Sequence, residues 1–391
     1  MKKYDFDRII KRKNSVKWDG MDLRYAVHPE EVLPLWIADM DFRAAEPIIE
    51  ALQQRVDEGI FGYEYRPESY FQSVTSWFER RHHWKVKEDW LLHSPGVVTS
   101  LSVIVKEFTN PGDKIVIQTP VYFPFFKIIQ QNDRTLVPNP LAIRDGRYVM
   151  DFENLEKILG PDVKMLILCS PHNPVSRVWE RDELLRLGEI CFKNGIRVLS
   201  DEIHADIVFK NHTHIPFASL GKEFLENTIT LISPTKTFNL AGLHTSCVIA
   251  PNAEDREKFS RAMDVLDLKS GNCFGQAATE AAFRYGEEWL EQLLAYLEDN
   301  AGHALDFIDR RIPRVKTYKP EGTYLLWMDF RQLGLDRKEL RDLLLNRAKV
   351  ALHYGDWFGT EGEGFVRLNF ACPKEILTRA LEGIEKAVGQ I

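Results

Sequence analysis

Short apolar runs alternate with amphipathic segments through the middle of the chain, and this pattern predicts strands that alternate with helices. Five apolar runs have the length of buried strands: 114–120, 163–174, 196–202, 228–236 and 244–251. Two segments carry apolar residues at the three- and four-residue spacing of a helix: 94–113 and 179–195. This alternation is typical of an α/β fold, in which helices cover both faces of a parallel or mostly parallel sheet.

The C-terminal third of the chain has a different pattern, which predicts a smaller α+β domain. Residues 287–312 form one long amphipathic stretch that is typical of a helix. Two segments with strand-like alternation follow it: 322–330 and 364–371. We therefore expect residues 48–286 to form a large domain, and residues 1–47 and 287–391 to form a small one.

The composition of the chain indicates which partners and which cellular compartment to expect. The chain has 391 residues, 44% of them hydrophobic and 28% charged, and its net charge of −7 disfavours nucleic-acid binding. Its five cysteines are odd in number and form no C-x-x-C motif, which indicates reduced thiols. The first thirty residues lack the apolar core of a signal peptide, and no apolar run reaches the ~18 residues of a membrane span. We therefore expect a cytoplasmic protein that binds neither nucleic acid nor membranes.

Polar residues follow several of the predicted strands at the point where each strand ends. Asn173 ends the second apolar run, Asp201 lies near the end of the third, and Ser233 and Lys236 lie at the end of the fourth. Parallel strands end at one edge of a sheet, and α/β folds bind their ligands there. The sequence therefore predicts a ligand site that contains Lys236.

Each of these residues has a structural and a chemical interpretation. Lys236 is either a solvated loop lysine or an amine that condenses with an aldehyde, beside anion-binding hydroxyls of Ser233 and Thr235. Asp201 is either a helix cap or a carboxylate that holds a pyridinium nitrogen protonated. Asn173 is either a turn residue or a donor to a phenolic oxygen.

Three further residues extend this site. Gly96 stands at a predicted helix start, where backbone N–H groups bind phosphate. Tyr122 is either a core aromatic or a ring that stacks on a planar ligand. Arg367 lies within an alternating strand, where an inward-pointing arginine is unusual, and two parallel hydrogen bonds from it would bind a substrate carboxylate. Together with Lys236 and its neighbours, these residues match the chemistry of pyridoxal 5′-phosphate (PLP).

The sequence motifs of other enzyme classes are absent or incomplete in this chain. The segment 233–236 fits the S-x-x-K motif of serine β-lactamases, but neither S-D-N nor K-T-G occurs. No G-x-G-x-x-G follows a strand, and the sequence has neither a Walker A motif nor H-E-x-x-H. The two histidines in 211–217 would need further ligands to bind a metal ion, so we expect no metal site.

The chain resembles the fold-type I PLP-dependent enzymes of the aminotransferase class I/II superfamily, and within it the MalY/PatB family of cystathionine β-lyases, or C–S lyases. The resemblance implies a large domain whose mostly parallel sheet is covered by helices, a smaller α+β domain, PLP as cofactor, an amino-acid substrate and a homodimer. The matching stretches run from residue 14 to residue 373: NSVKWD, LPLWIADMDF, FGYEY, SPGVV, TPVYFPF, CSPHNPVSRVW, SDEIHADIVF, HIPF, SPTKTFNLAGLHTS, PEGTYLLWMDF and FVRLNFACP.

The resemblance also implies a role for each matching residue. Lys236 should bind the PLP aldehyde covalently and act as the catalytic base. Asp201 should hold the ring nitrogen and Asn173 the ring oxygen, while Tyr122 stacks on the ring.

The remaining roles concern the phosphate and the substrate. Arg367 should bind the α-carboxylate of the substrate. The substrate entrance should be lined by Trp36, Ala38 and Asp39. The phosphate should be bound by Val97, Val98, Ser233, Thr235 and, from the neighbouring subunit, Tyr63.

Two positions depart from the wider aminotransferase pattern. His244 stands eight residues after the lysine, where many aminotransferases carry an arginine on the phosphate. His204 stands three residues after the aspartate, where many carry a tyrosine on the ring oxygen. We place both among the cofactor-binding residues, and both argue against a direct transfer of aminotransferase behaviour to this chain.

The resemblance implies that the chain cleaves L-cystathionine or a related cysteine S-conjugate by α,β-elimination, as in methionine biosynthesis. The products would be a thiol, pyruvate and ammonia. An aminotransferase on the same scaffold is the alternative, because both reactions begin with loss of the Cα proton. A lyase with an additional regulatory role in protein binding is a further alternative.

Overall fold

The largest element of the computed structural model, which describes residues 3–26 and 31–391, is a seven-stranded sheet. Its order is β1-β7-β6-β5-β4-β2-β3, and β7 runs antiparallel to both neighbours whereas the other paired strands run parallel. The predicted α/β fold with a mostly parallel sheet is confirmed. In chain order the strands are β1 Leu91–Ser94, β2 Lys114–Ile117, β3 Thr135–Pro138, β4 Val163–Cys169, β5 Arg197–Asp201, β6 Thr228–Ile232 and β7 Ser246–Ile249.

Both faces of this sheet are buried because its central strands are apolar at successive positions rather than at alternate ones. In β2, Ile115 and Ile117 face one side and belong to the same core cluster as residues of the helix Val97–Phe108. Val116 faces the other side and belongs to the core cluster that includes residues of the helix Arg181–Lys193. The sheet is therefore the middle layer of three.

The helices cover this sheet and a smaller one. Among the described helices, none has both the length and the apolar composition that crossing a bilayer requires. The α-helices of five or more residues are Met21–Tyr25, Glu46–Glu58, Glu68–His82, Val97–Phe108, Pro124–Gln131, Phe152–Ile158, Arg181–Lys193, Lys222–Asn227, Ala253–Val265, Cys273–Tyr285, Glu287–Arg311, Arg337–Arg341 and Lys374–Val388.

A smaller antiparallel sheet forms in the C-terminal third, as the pattern predicts. Its order is β8-β9-β11-β10. Leu33–Pro34 pairs in parallel with Val350–Ala351, so the N-terminal segment also packs against this part of the chain. The division into domains at residues 47/48 and 286/287 stays a prediction. The strands of this sheet are β8 Lys316–Thr317, β9 Leu325–Asp329, β10 His353–Tyr354 and β11 Phe365–Asn369.

The predicted strands are all present, but they end earlier than their apolar runs. β4 ends at Cys169 and β6 at Ile232, and the polar residues that follow leave the sheet. After β6 the chain forms a short helix, Pro234–Thr237, so Lys236 lies on a helical turn. The pattern does not predict β1, because its four residues directly precede the helix that begins at Val97.

Candidate active site

A cavity of about 1070 Å³ opens beside the carboxyl ends of the parallel strands. It lies where α/β sheets bind ligands, because the loops that follow the strands converge there. The structure brings together at its lining most of the residues that the sequence singles out: Trp36, Ala38, Val97, Val98, Tyr122, Asn173, Asp201, His204, Thr235, Lys236, His244 and Arg367.

The helical turn Pro234–Thr237 positions Lys236. Ser233 caps this turn by accepting a hydrogen bond from the N–H of Thr235 at 3.1 Å, and Pro234 suits the first helical position because it lacks an N–H. Lys236 Nζ donates to the carbonyl oxygen of Ala38 at 2.6 Å. Burial, with a contribution from Arg367, lowers the pKa of Lys236 to about 8, although Asp39 and Asp201 oppose the shift. The amine is therefore more often neutral, and more nucleophilic, than that of an exposed lysine.

Asp201 is a buried carboxylate with little compensation. It ends β5, is 4% exposed, and accepts one hydrogen bond, from the N–H of Ile203 at 3.2 Å. Burial raises its pKa to about 7, and the neighbouring Glu202 adds to the shift. A cation next to Asp201 would restore its charged form, because opposite charges lower the pKa of a carboxyl group.

Arg367 is a buried guanidinium with neutral partners. It is 1% exposed and donates to Asn173 Oδ1 at 2.8 Å, to the carbonyl oxygen of Trp36 at 3.0 Å and to His353 Nδ1 at 2.6 Å. Its Nε has no partner, and within the described residues no carboxylate pairs with it. Burial lowers its pKa to about 10. A buried cation without a counter-ion is a binding site for an anion such as a carboxylate.

Tyr122 and His204, two further polar residues of the cavity lining, are held neutral by burial. Burial raises the pKa of Tyr122 to about 12, and burial with the charges of Lys236 and Arg367 lowers that of His204 to about 3. Nδ1 of His204 is buried without a hydrogen-bond partner. Because Asn173 accepts from Arg367 through Oδ1, its Nδ2 is left to donate elsewhere.

The opposite end of the cavity has the features of an anion site. The helix Val97–Phe108 begins there, and the N–H groups of its first turn have no intrahelical acceptor. A Cβ added at Gly96, which caps this helix, would meet no atom within 4 Å. Thr235 and His244 also line this cavity. A phosphate would therefore find both donors and space beside Gly96.

Three predicted residues lie outside the cavity lining. The hydroxyl of Ser233 donates to the carbonyl oxygen of Thr245 at 2.7 Å, which uses its single proton within the protein. The carboxylate of Asp39 is 2.9 Å from the guanidinium of Arg12. Tyr63 is fully exposed on the surface. Their predicted contacts with cofactor or substrate stay predictions.

Two residues that the sequence analysis does not single out belong to the site. His353 lies against Arg367, and Tyr324 donates through its hydroxyl to the carbonyl oxygen of Ala38 at 2.9 Å. That carbonyl is the one that also accepts from Lys236. Both residues lie in or beside short strands of the small sheet, and nothing in their local pattern indicates which side chain faces the cavity.

The buried carboxylate of Asp206 stabilises the helical turn that carries Lys236. Asp206 accepts hydrogen bonds from Thr237 Oγ1 at 2.8 Å, Trp77 Nε1 at 2.9 Å and His82 Nε2 at 2.8 Å. Burial alone would raise the pKa of Asp206, but these donors and Arg81 hold it below its usual value. Asp206 therefore fixes the residue next to Lys236 against the helix Glu68–His82.

The histidines of 211–217 differ in their surroundings. His214 is buried and its Nε2 lies 2.9 Å from Glu202 Oε2. Glu202 also accepts from the hydroxyl of Ser200 and the N–H of Phe217. Among the described residues, no cluster of three or more histidine, cysteine, aspartate or glutamate side chains has the arrangement of a metal site.

The chain belongs to the aminotransferase class I and II family, whose model matches residues 30–384. It is 44% identical to cystathionine β-lyase PatB of Bacillus subtilis, over 98% of this chain and 100% of that protein. Cystalysin of Treponema denticola, whose structure contains PLP, has a TM-score of 0.96 and 37% identity, and the match covers 100% of both chains. A PLP-bound putative aminotransferase of Clostridium difficile has a TM-score of 0.97 and 48% identity, over 99% of this chain and 100% of that one.

Replacement of Asp206 by alanine should destabilise the protein strongly. The change leaves buried donors of Trp77, His82 and Thr237 without their acceptor, which should lower the free energy of unfolding by about 3–5 kcal/mol. Since the pKa of Asp206 is depressed in the folded state, this stabilisation is present above the unfolded pKa of about 3.9 and lost as pH falls through the folded value.

Urea denaturation at neutral pH measures this loss as a lower midpoint at unchanged slope. Glu79→Ala is the control, because Glu79 lies on the same helix with a side chain that is 57% exposed. Equal midpoints for the Asp206 and Glu79 variants would contradict the supporting role of Asp206.

The lowered pKa of Lys236 should be visible in its reactivity toward a small aldehyde. In the ligand-free protein, reductive methylation with formaldehyde needs the neutral amine, so modification of Lys236 should rise with pH through about 8. Lys222, whose side chain is 88% exposed, is the comparison for the buried Lys236. Mass spectrometry of peptides across a pH series compares the two, and identical pH profiles would contradict the electrostatics of the site.

Proposed function

We propose that the chain is a PLP-dependent carbon–sulfur lyase that cleaves L-cystathionine or a related cysteine S-conjugate to a thiol, pyruvate and ammonia. One observation carries the proposal. A lysine with a lowered pKa, an uncompensated aspartate and an uncompensated arginine share one cavity: Lys236, Asp201 and Arg367. The 44% identity to a cystathionine β-lyase supports the substrate class.

PLP fits the charges and donors of this cavity. A protonated ring nitrogen supplies the cation that Asp201 lacks, and the free Nδ2 of Asn173 suits the ring oxygen. Tyr122 and His204 line the space for the ring. The N–H groups that follow Gly96, with Thr235 and His244 in the same lining, suit the phosphate. When bound, PLP withdraws electrons from the Cα atom of the substrate.

Arg367 binds and orients the substrate. Its guanidinium meets the α-carboxylate as a charged pair that is worth more in a buried site than in water. Asn173, Trp36 and His353 hold the guanidinium in place through its two terminal nitrogens. A carboxylate fixed by Arg367 would limit the orientations of the Cα–H bond relative to Lys236, which lines the same cavity.

Lys236 moves the proton. With a pKa of about 8, roughly a tenth of the amine is neutral at pH 7, compared with less than a thousandth for an exposed lysine. Its Nζ takes the proton from Cα as a general base, and the resulting ammonium gives a proton to the leaving sulfur. The carbonyl of Ala38, 2.6 Å from Nζ, keeps the amine on one side of the cavity. Trp36 and Ala38 form the substrate side of the lining, with Asp39 next in the chain.

An aminotransferase is the second candidate, because the Clostridium difficile protein at 48% identity is described as a putative aminotransferase. The two reactions share removal of the Cα proton and differ in the next step. In the lyase, the β-thiolate leaves. In the transferase, the proton returns to a cofactor carbon, and a keto-acid acceptor is needed to complete the cycle.

The protein acts in the cytoplasm as a homodimer, in a pathway that consumes cystathionine, as methionine biosynthesis does. The free cysteines of the described chain support a reducing compartment. An exposed apolar group, Ile60, Phe61, Tyr63 and Tyr65, supports an interface between subunits. Tyr63 would reach the phosphate of the partner from this surface.

Thiol release separates the two candidate functions. The purified protein, incubated with L-cystathionine and PLP but no keto acid, should release free thiol and pyruvate in equal amounts, as measured by thiol reagent and a coupled lactate dehydrogenase assay. Lys236→Ala should reduce the rate at least ~10³-fold, because the general base is lost. Turnover that depends strictly on an added keto acid would instead establish the aminotransferase.

Complementation tests the contribution of Tyr63 to the partner's site. Lys236→Ala and Tyr63→Ala homodimers should each be weakly active. A hybrid dimer has one site with both Lys236 and Tyr63 intact, so a statistical mixture of exchanged subunits should recover about a quarter of wild-type activity. A mixture that stays as inactive as its components after subunit exchange, verified by mass spectrometry, would place Tyr63 in the site of its own chain or outside any site.

A further inference from the structure

Arg24 lines the same cavity as Arg367 and Lys236, on the side of the N-terminal segment. It lies on the short helix Met21–Tyr25, and its side chain is exposed. Two buried residues anchor this helix. Met21 is 0% exposed, and Tyr25, 3% exposed, donates through its hydroxyl to the carbonyl oxygen of Leu352 at 2.9 Å. Arg24 is therefore presented at the cavity from an anchored element.

An aromatic wall of two rings, Trp357 and His353, connects Arg24 to Arg367, and His353 also lines the cavity. The guanidinium of Arg24 lies 4.2 Å from the centroid of the Trp357 ring, and that ring lies 5.0 Å from the ring of His353. His353 in turn contacts Arg367 at 2.6 Å. Stacking on an indole fixes the plane of a guanidinium but leaves the N–H groups on its edge free to donate. Two guanidinium groups of the cavity lining, those of Arg24 and Arg367, thus lie at the two ends of this wall.

No acid separates these two cations along the wall. Burial and the charges of Arg367 and Arg24 hold the pKa of His353 far below its usual value, so the imidazole is neutral. Within the described chain, no carboxylate forms a salt bridge with Arg24. Asp19 and Asp22 also line the cavity. A ligand that spans the cavity from Arg367 to Arg24 would meet one guanidinium at each end.

The cavity has room for such a ligand. Its volume of about 1070 Å³ exceeds the ~300–1,000 Å³ that commonly encloses a single drug-sized molecule. PLP and the cysteine half of a thioether would lie among Lys236, Asp201 and Arg367, which all line the cavity. The lining around Arg24 would then remain for the group attached to sulfur.

We propose that Arg24 is a specificity residue that binds the distal carboxylate of the substrate, the one carried by the thiol leaving group. The substrate class is then cysteine thioethers with a charged amino-acid end, with Arg367 on the near carboxylate and Arg24 on the far one. This inference rests on the proposed lyase function. It assigns the cavity lining around Arg24 to recognition of the leaving group.

The test compares substrates that differ only beyond sulfur. For L-cystathionine, Arg24→Gln should lower kcat/KM by ~10- to 100-fold, the size expected when a charge-assisted hydrogen bond is lost. For S-ethyl-L-cysteine, which has no distal charge, the same variant should stay within about twofold of wild type, and this substrate also reports that the variant is folded. For S-(2-aminoethyl)-L-cysteine, whose distal group is a cation, removal of the Arg24 charge should raise kcat/KM.

Two matched variants complete the design. Arg24→Lys keeps the charge but not the fork of donors, so it should retain part of the preference for cystathionine. Arg43→Gln removes an exposed arginine that lies outside the cavity lining. This variant should leave kcat/KM unchanged for all three substrates. Equal losses for all three substrates in Arg24→Gln, or no loss for cystathionine, overturn the proposal. Failure of the wild-type protein to release thiol from any substrate overturns the lyase function itself.

Discussion

One carbonyl oxygen joins the three parts of the chain that build the site. The oxygen of Ala38 accepts from Lys236 Nζ at 2.6 Å and from the hydroxyl of Tyr324 at 2.9 Å. Ala38 belongs to the N-terminal segment, and Lys236 lies on the turn that follows β6 of the large sheet. Tyr324 directly precedes β9 of the small sheet. A backbone oxygen cannot be removed by substitution, so the position of the lysine depends on how these three segments pack.

The electrostatics of the site follow from burial without compensation. Asp201, Lys236 and Arg367 each have a pKa shifted toward the neutral form, and burial is the largest cause for each. Elsewhere the protein compensates its buried charges, as it does for Asp206 with three hydrogen bonds and for Lys17 with Asp41 at 2.7 Å. The contrast distinguishes the charges of the cavity from those that are paired within the fold. Ligand groups of opposite charge would complete the pairs in the cavity, so that binding would also restore the charged forms.

The sequence predicts well which segments form strands and helices, and at which edge of the large sheet the polar residues meet. It predicts less well the direction of a strand and the contacts between residues that are far apart in the chain. Apolar runs place β2, β4, β5 and β6, because buried parallel strands need continuous apolar residues. Asn173 and Asp201 reach the cavity because they follow strand ends. The antiparallel direction of β7 is not predictable, because an apolar run carries no information on direction. Arg24 and Trp357 lie far apart in the chain and in no shared motif, so only tertiary packing brings them together.

The division between lyase and transferase activity cannot lie in the residues that both reactions use. In the proposed mechanism Lys236 removes the proton and Arg367 holds the near carboxylate in either case, so these groups would stabilise a stage common to both. The two reactions differ in the fate of the group on Cβ. If Arg24 binds the leaving thiol as proposed, this contact would hold the C–S bond in one orientation before the bond breaks. Selection between the two outcomes would then depend on the distal end of the cavity, which Arg24 lines.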